Sequence, residues 1–304
     1  RRDPPLRHRL SEAQPKMNDT TFTAFVPPHK VDSPVPVVLF QSGHGSNSAC
    51  HAPLLNALAS EGFVCILPDR DTDTLNTPEG DAVELIFTEG KLTAALSTDG
   101  THLAAAYEWL LAQGGVVSGQ KVDTTKVAVG GFSMGAIEAI NFASQKQGAG
   151  GISAVFLISS STSENAEPLY QFKETDLVDK VSKFTIPSLY ITSDKDCMHD
   201  ATKKLAVAAA KPSALVVFKD EVLDNSMTLT QELSIWHTRH IEMIPGLAQH
   251  FALAAEAKVV AKEPVVGFLR RTLLHTGGIW SDELVKASDC VAVVDQMLVH
   301  NSVA

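Results

Sequence analysis

Long apolar runs are missing from this sequence, and basic residues are in the minority. No stretch of its 304 residues approaches the ~18 consecutive apolar residues that a helix needs to cross a membrane, so we expect no integral membrane span. The 25 Lys and Arg residues are outnumbered by 35 Asp and Glu residues, which gives a formal net charge of −10. Because phosphate backbones repel such a charge, the composition argues against nucleic acid as the main partner.

Cysteine is scarce as well. The four cysteines lie far apart in the chain, with no C-x-x-C motif and no spacing typical of metal ligands: Cys50, Cys65, Cys197 and Cys290. They therefore give no indication of a metal site, and whether any of them pair is left open. Cys65 lies in an apolar stretch and is most simply a buried core residue.

A starting methionine is also missing, since the chain begins Arg1-Arg2. We expect the numbering to start inside a longer precursor or a trimmed chain, so that any targeting peptide is missing from the sequence. Residues 1–19 are expected to form a flexible terminal segment. The compartment stays open, and a secreted or organellar location is compatible with the sequence.

What the sequence does contain is a regular alternation of strands and helices. Residues 35–40 and 152–158 are continuous apolar runs, typical of strands covered on both faces, and residues 101–113 show the periodicity of an amphipathic helix. With 44% hydrophobic residues, the composition suits one α/β domain, which we place at residues 20–275. We predict a mostly parallel, doubly wound sheet with helices on both faces and small cap insertions.

Two further segments carry predictions of their own. Residues 214–238 are expected to hold an extra strand at residues 215–218 and a cap that presents Trp236 and His237 to the pocket, with packing of these residues on the surface as an equal alternative. Residues 276–304 show roughly helical spacing and are expected to form a helical tail packed on the domain. Self-association of that tail into a homodimer is left open.

The central motif is Gly131-Phe132-Ser133-Met134-Gly135, which has the form G-x-S-x-G. It joins an apolar strand at residues 126–130 to a segment of helical periodicity. A strand that reverses sharply into a helix forces the serine into a strained backbone conformation and leaves room only for glycine two residues to either side. This arrangement is typical of a nucleophilic serine, although small residues at a strand–helix junction are also common in proteins without such chemistry.

The serine needs an acid and a base, which follow it in this architecture in the order Asp or Glu, then His. Because ligands bind at the carboxyl ends of parallel strands, the acid is sought in a loop after a strand. Asp196 follows the predicted strand at residues 187–192 and is the first choice; Asp194 is the alternative. An exposed aspartate in a turn would look the same.

Chain order also reduces the 11 histidines to a few. His250 lies in the loop after a predicted last strand at residues 239–244, where a base is required. His240 lies within that strand, and His237 precedes it. We therefore favour His250 over His237 as the general base.

At this point the sequence resembles the α/β-hydrolase superfamily, and within it the branch of dienelactone-hydrolase-like polyester hydrolases and cutinases, chlorophyllases and platelet-activating-factor acetylhydrolases. The resemblance covers about residues 20–275 and rests on the serine motif together with residues 37–45, 58–64, 193–196 and 245–251. It implies Ser133 as nucleophile, Asp196 as orienting acid and His250 as base. It also implies an oxyanion hole formed by the backbone N–H groups of Met134 and His44.

Two departures from the family pattern affect these assignments. The family usually has His-Gly where this chain has Ser42-Gly43, so the oxyanion hole could instead use Gly45 or Ser46. The acetylhydrolases take their acid from the end of the preceding strand, where this chain has Ser159-Ser160 and no carboxylate. That difference disfavours a close match to the acetylhydrolases.

The resulting hypothesis is a serine carboxylic-ester hydrolase that uses an acyl-enzyme and needs no cofactor and no metal. Its substrate is expected to be a small hydrophobic ester, lipid-like, chlorophyll-like or polyester-like, held by Phe132, Gly45, Trp236 and His237. A thioesterase, a lactonase or an acyltransferase would use the same residues, because the pocket and not the triad sets the substrate. A non-catalytic ligand-binding protein with this fold is the alternative from another class.

Overall fold

The computed structural model describes residues 7–9, 21–43, 48–69, 98–148, 150–160, 172–193, 198–210, 212–218 and 262–276. The strands are β1 (Arg7–Arg9), β2 (Thr21–Phe25), β3 (Val35–Gln41), β4 (Val64–Asp69), β5 (Val116–Val117), β6 (Gln120–Phe132), β7 (Ile152–Ile158), β8 (Ser188–Ser193) and β9 (Ser213–Phe218). The helices are α1 (Ser48–Ser60), α2 (Thr101–Ala112), α3 (Met134–Lys146), α4 (Glu174–Ser182), α5 (His199–Ala208) and α6 (Lys262–Leu273).

The described strands form one sheet in the order β1-β2-β4-β3-β6-β7-β8-β9, with β5 paired only to β6. Neighbours from β4 through β9 along this order run parallel, whereas β1 and β2 are antiparallel additions at one side. Parallel neighbours need crossover connections, which explains the alternation of strand and helix in the sequence. The predicted mostly parallel α/β sheet is therefore confirmed.

The first strands differ from the prediction in one respect. β2 has β1 on its outer side, with Arg7 opposite Phe25. Part of the segment expected to be a flexible terminus, residues 1–19, is thus paired with the sheet. The polar sequence Arg-His-Arg carries no strand signal of its own, so the pairing comes from the open edge of β2.

Helices cover both faces of the sheet and create two apolar cores. In β3, Val37 and Leu39 face the core under α2 to α5, whereas Val38 and Phe40 face the core under α1 and α6. Every residue of β3 is buried. Because both faces of the sheet are buried, the central strands read as continuous apolar runs rather than as alternating patterns.

The carboxyl ends of β3, β6, β7 and β8 meet at one edge of the sheet, in that order. Hydrogen bonds continue past two of the strand ends. The N–H of Ser133 donates to the carbonyl of Ile158 at 3.0 Å, and the N–H of Ser159 donates to the carbonyl of Ile191 at 2.8 Å. Ser133 therefore lies at the centre of this edge.

Several of the sequence predictions concern the C-terminal part of the chain. The extra strand expected at residues 215–218 is present as β9, which pairs parallel with β8. The predicted last strand, the cap beyond residue 218 and the tail from residue 277 lie outside the described residues. Among the helices that the structure describes, none is long and apolar enough to cross a membrane.

Candidate active site

Ser133 occupies a strained turn between β6 and α3. Its backbone has φ 54° and ψ −121°, in the region that non-glycine residues rarely adopt and that typically costs about 1–3 kcal/mol. A serine at this position of a helix usually accepts a hydrogen bond from an N–H of its own first turn. The side chain of Ser133 makes no such capping bond. The turn thus holds a buried hydroxyl at the edge of the sheet without using it to cap the helix.

The two glycines of the motif are required by close backbone contacts. A Cβ atom at Gly131 would lie 2.3 Å from the carbonyl oxygen of Gly135, across the turn. A Cβ atom at Gly135 would lie 2.3 Å from the carbonyl oxygen of Gln41 and 2.5 Å from that of Ser42. The spacing G-x-S-x-G is therefore set by the turn on one side and by the end of β3 on the other.

The loop that follows β3 passes directly beside the serine. A Cβ atom at Gly43 would lie 3.0 Å from the Cβ of Ser133 and 3.0 Å from the ring of Phe132. The glycine-rich loop predicted to supply an oxyanion donor therefore begins next to Ser133. Met134, the other expected donor, is the first residue of α3 and is buried. His44 and Gly45 lie outside the described residues.

The predicted acid and base are also outside the described residues. Asp196 and its alternative Asp194 follow β8, which ends at Ser193 at the same edge of the sheet as Ser133. One strand, β7, separates β8 from the serine-bearing β6. His250, His237 and Trp236 belong to the undescribed residues 219–261. The triad therefore remains a prediction.

A histidine with no role predicted from the sequence, His51, packs against Phe132, the residue before Ser133. The ring of His51, on α1, packs against the rings of Phe40 and Phe132, with centroids 5.1 and 5.4 Å apart. Burial lowers the pKa of His51 to about 3, so the ring is neutral near pH 7. In the sequence, His51 is spaced from Leu54, Leu55 and Leu58 as on one face of a helix, and this pattern indicates that His51 lies on the buried face of α1.

The buried His51 predicts an acid-dependent loss of stability. The pKa of His51 is about 3 in the folded protein and 6.5 without burial, so between these values the unfolded chain binds more protons. Stability is therefore lost as the pH falls through this window. We expect the free energy of unfolding of the wild type, relative to His51→Phe, to drop by about 1.4 kcal/mol for each pH unit below 6.5. Urea denaturation at pH 7.5, 6 and 5 measures this difference, and parallel curves for the two proteins would contradict it.

The described ranges contain no group of three or more His, Cys, Asp or Glu side chains arranged to hold a metal ion.

No protein-family model matches the sequence, and no curated protein matches it. Among solved structures, the chain is similar to a dienelactone hydrolase from Anabaena variabilis ATCC 29413 at 17% sequence identity. The match covers 84% of this chain and 97% of that chain, with a TM-score of 0.49.

Proposed function

We propose that this chain is a serine hydrolase that cleaves carboxylic esters through an acyl-enzyme. The observation that carries the proposal is the backbone of Ser133, held at φ 54° between β6 and α3 at the carboxyl edge of the sheet. A fold gains nothing in stability from a strained serine at this point, and strain of this kind concentrates at functional sites. The glycine contacts at Gly131 and Gly135 maintain the same turn.

In the proposed mechanism Ser133 Oγ attacks the carbonyl carbon of the ester, and His250 takes its proton. Asp196 orients the imidazole and stabilises its charged form. The tetrahedral oxyanion accepts hydrogen bonds from the N–H of Met134 and from an N–H of the loop after Gly43. Each such donor typically contributes about 3 kcal/mol. The alcohol leaves with the proton from His250, and water activated by the same histidine then releases the acid.

The electrostatics of α3 support this role for its first turn. The N-terminus of a helix carries a partial positive charge, and the first turn of α3 contains no acidic residue to offset it. The buried carboxylate of Glu138 comes next along the helix. It accepts hydrogen bonds from the N–H groups of His102 at 3.1 Å and Leu103 at 3.4 Å, at the start of α2. The carboxyl group of Glu138 is thus held at the N-terminus of another helix, α2, where its Oε1 also lies 3.1 Å from the Nδ1 of His102.

The substrate in this proposal is an ester with a hydrophobic body, lipid-like, chlorophyll-like or polyester-like. Phe132 and Met134, the two neighbours of the serine, are both buried apolar residues. Phe132 lies on the same side of the sheet as Phe40 and His51, whose neutral ring adds no charge. An apolar acyl or alcohol group is favoured beside such a surface, because its burial needs no polar partners.

Labelling with a fluorophosphonate probe tests the proposal. We expect a single adduct that maps to Ser133, together with turnover of p-nitrophenyl acetate and octanoate. Asp196→Asn and His250→Ala should each lower kcat by a factor on the order of 10⁴. Asp194→Asn and His240→Ala are the matched controls and should retain most of the activity. A folded protein that takes no label, or takes it at another residue, would overturn the proposal.

A further inference from the structure

Two buried polar side chains lie on either side of the strand that carries the nucleophile. Gln41 is the last residue of β3, and Ser160 lies two residues beyond the end of β7. In the sheet, β3 and β7 are the two neighbours of β6. Both side chains belong to residues that are 0% exposed. The pair therefore brackets Ser133 at the carboxyl edge.

These side chains have polar atoms without a partner among the residues that the structure describes. Within those residues, neither the Nε2 nor the Oε1 atom of Gln41 makes a hydrogen bond, and the Oγ of Ser160 makes none either. The backbone of Ser160 is held, since its N–H donates to the Oγ1 of Thr202 on α5 at 2.9 Å. Because an unpaired buried amide costs free energy, nearly all such groups in folded proteins have a partner. A glutamine can both donate and accept, as can a serine hydroxyl.

Their positions relative to Ser133 follow from backbone contacts. Gln41 lies opposite Gly131 in the ladder between β3 and β6, and the loop it leads into passes beside the serine, where a Cβ atom added at Gly43 would lie 3.0 Å from the Cβ of Ser133. On the other side, the N–H of Ser133 donates to the carbonyl of Ile158, two residues before Ser160. Both polar side chains are thus attached to segments that touch the nucleophile.

We propose that Gln41 and Ser160 determine substrate specificity by hydrogen bonding to a hydroxyl group that the ester carries close to its scissile carbonyl. The amide of Gln41 would donate through Nε2 and accept through Oε1, which matches a hydroxyl that does the same. The substrate is then a hydroxylated ester with an otherwise apolar body, and not a plain hydrocarbon ester. This inference rests on the proposed function.

Pairs of esters that differ by one hydroxyl test this inference. The first pair is p-nitrophenyl butyrate and p-nitrophenyl 3-hydroxybutyrate, and the second is propyl butyrate and 2-hydroxyethyl butyrate. We expect the wild type to prefer the hydroxylated member of at least one pair by about tenfold in kcat/KM. Gln41→Met and Ser160→Ala should each remove most of that preference, because each should lower kcat/KM for the hydroxylated ester more than for the plain ester.

Ser188→Ala is the matched control. Ser188 is also a buried serine, but it begins β8 opposite Val155. That register places it about 16 Å from Ser160 along the sheet, at ~3.3 Å per residue. This variant should keep the preference of the wild type. Thermal unfolding of each variant checks that the substitutions leave a folded protein, and Ser160→Ala still tests the inference if Gln41→Met does not fold.

Labelling of Ser133 by the fluorophosphonate probe separates the two ways of failing. If the wild type takes no label, the proposed function is wrong, and the inference that rests on it is wrong as well. If the wild type is labelled and hydrolyses esters but shows no preference in either pair, only the inference is overturned. The same holds if Gln41→Met and Ser160→Ala both keep the preference.

Discussion

Replacing Ser133 with glycine should abolish ester hydrolysis and at the same time make the protein more stable. The hydroxyl is the proposed nucleophile, so its removal should lower kcat by a factor on the order of 10⁵ or more. The backbone at this residue has φ 54°, a conformation that glycine adopts without the penalty of a Cβ atom. Relief of strain outweighs the greater freedom of glycine in the unfolded chain, and we expect the free energy of unfolding to rise by about 1 kcal/mol.

Ser133→Ala is the control that separates the two effects. It removes the same hydroxyl and keeps the Cβ atom, so it should be as inactive as Ser133→Gly but no more stable than the wild type. Urea denaturation of the three proteins gives the free energies, and p-nitrophenyl acetate gives the rates. If the glycine variant proves no more stable than the alanine variant, the turn at Ser133 is not strained. If both variants keep their activity, Ser133 is not the nucleophile.

The serine turn could be predicted from the sequence because its determinants are local. A strand, a serine between two glycines and a helix follow one another within 21 residues, from Lys126 to Lys146, and each has its own pattern. The order of strand and helix along the chain likewise predicted the fold class, since parallel strands need crossovers. Most predicted elements lie within two or three residues of their observed bounds, but β6 begins at Gln120, six residues before the strand predicted at residues 126–130.

The residues around the serine could not be predicted in this way, because their environment comes from distant parts of the chain. Nothing in the sequence around His51 indicates a functional role. Its low pKa arises only because α1 packs the ring against Phe40 and Phe132. Gln41 ends an apolar strand and resembles any polar residue that begins a loop. Its unpaired amide is a property of the folded protein.

Gly135 shows the limit of local reasoning most clearly. From the motif alone, its glycine is explained by the sharpness of the turn. In the structure, the atoms that a side chain would strike belong to Gln41 and Ser42 at the end of β3, more than 90 residues earlier in the sequence. The second glycine of the motif is therefore also required by the close approach of α3 to β3. A substitution at Gly135 tests this packing.

Gly135→Ala should be among the most damaging small substitutions in the described part of the chain. The new Cβ atom would lie 2.3 Å from one backbone carbonyl oxygen and 2.5 Å from another, and neither is the end of a flexible side chain. Either α3 or the end of β3 must therefore move. Both elements position the site, because α3 begins at Met134 and the loop after β3 passes beside Ser133 at Gly43. We expect a loss of about 3 kcal/mol in the free energy of unfolding. Hydrolysis should fall by a factor on the order of 10² or more, since displacements of about 1 Å have such effects.

Replacing Gly267 with alanine should instead raise the free energy of unfolding. Gly267 lies within α6, and a Cβ atom there would meet nothing within 4 Å. Alanine favours a helix over glycine by about 1 kcal/mol, so Gly267→Ala should raise the free energy of unfolding by up to that amount and leave hydrolysis unchanged. Urea denaturation and p-nitrophenyl acetate turnover of the two variants provide the comparison. Because both variants add one methyl group to a glycine, equal effects would mean that the contact between α3 and β3 does not explain the glycine at position 135.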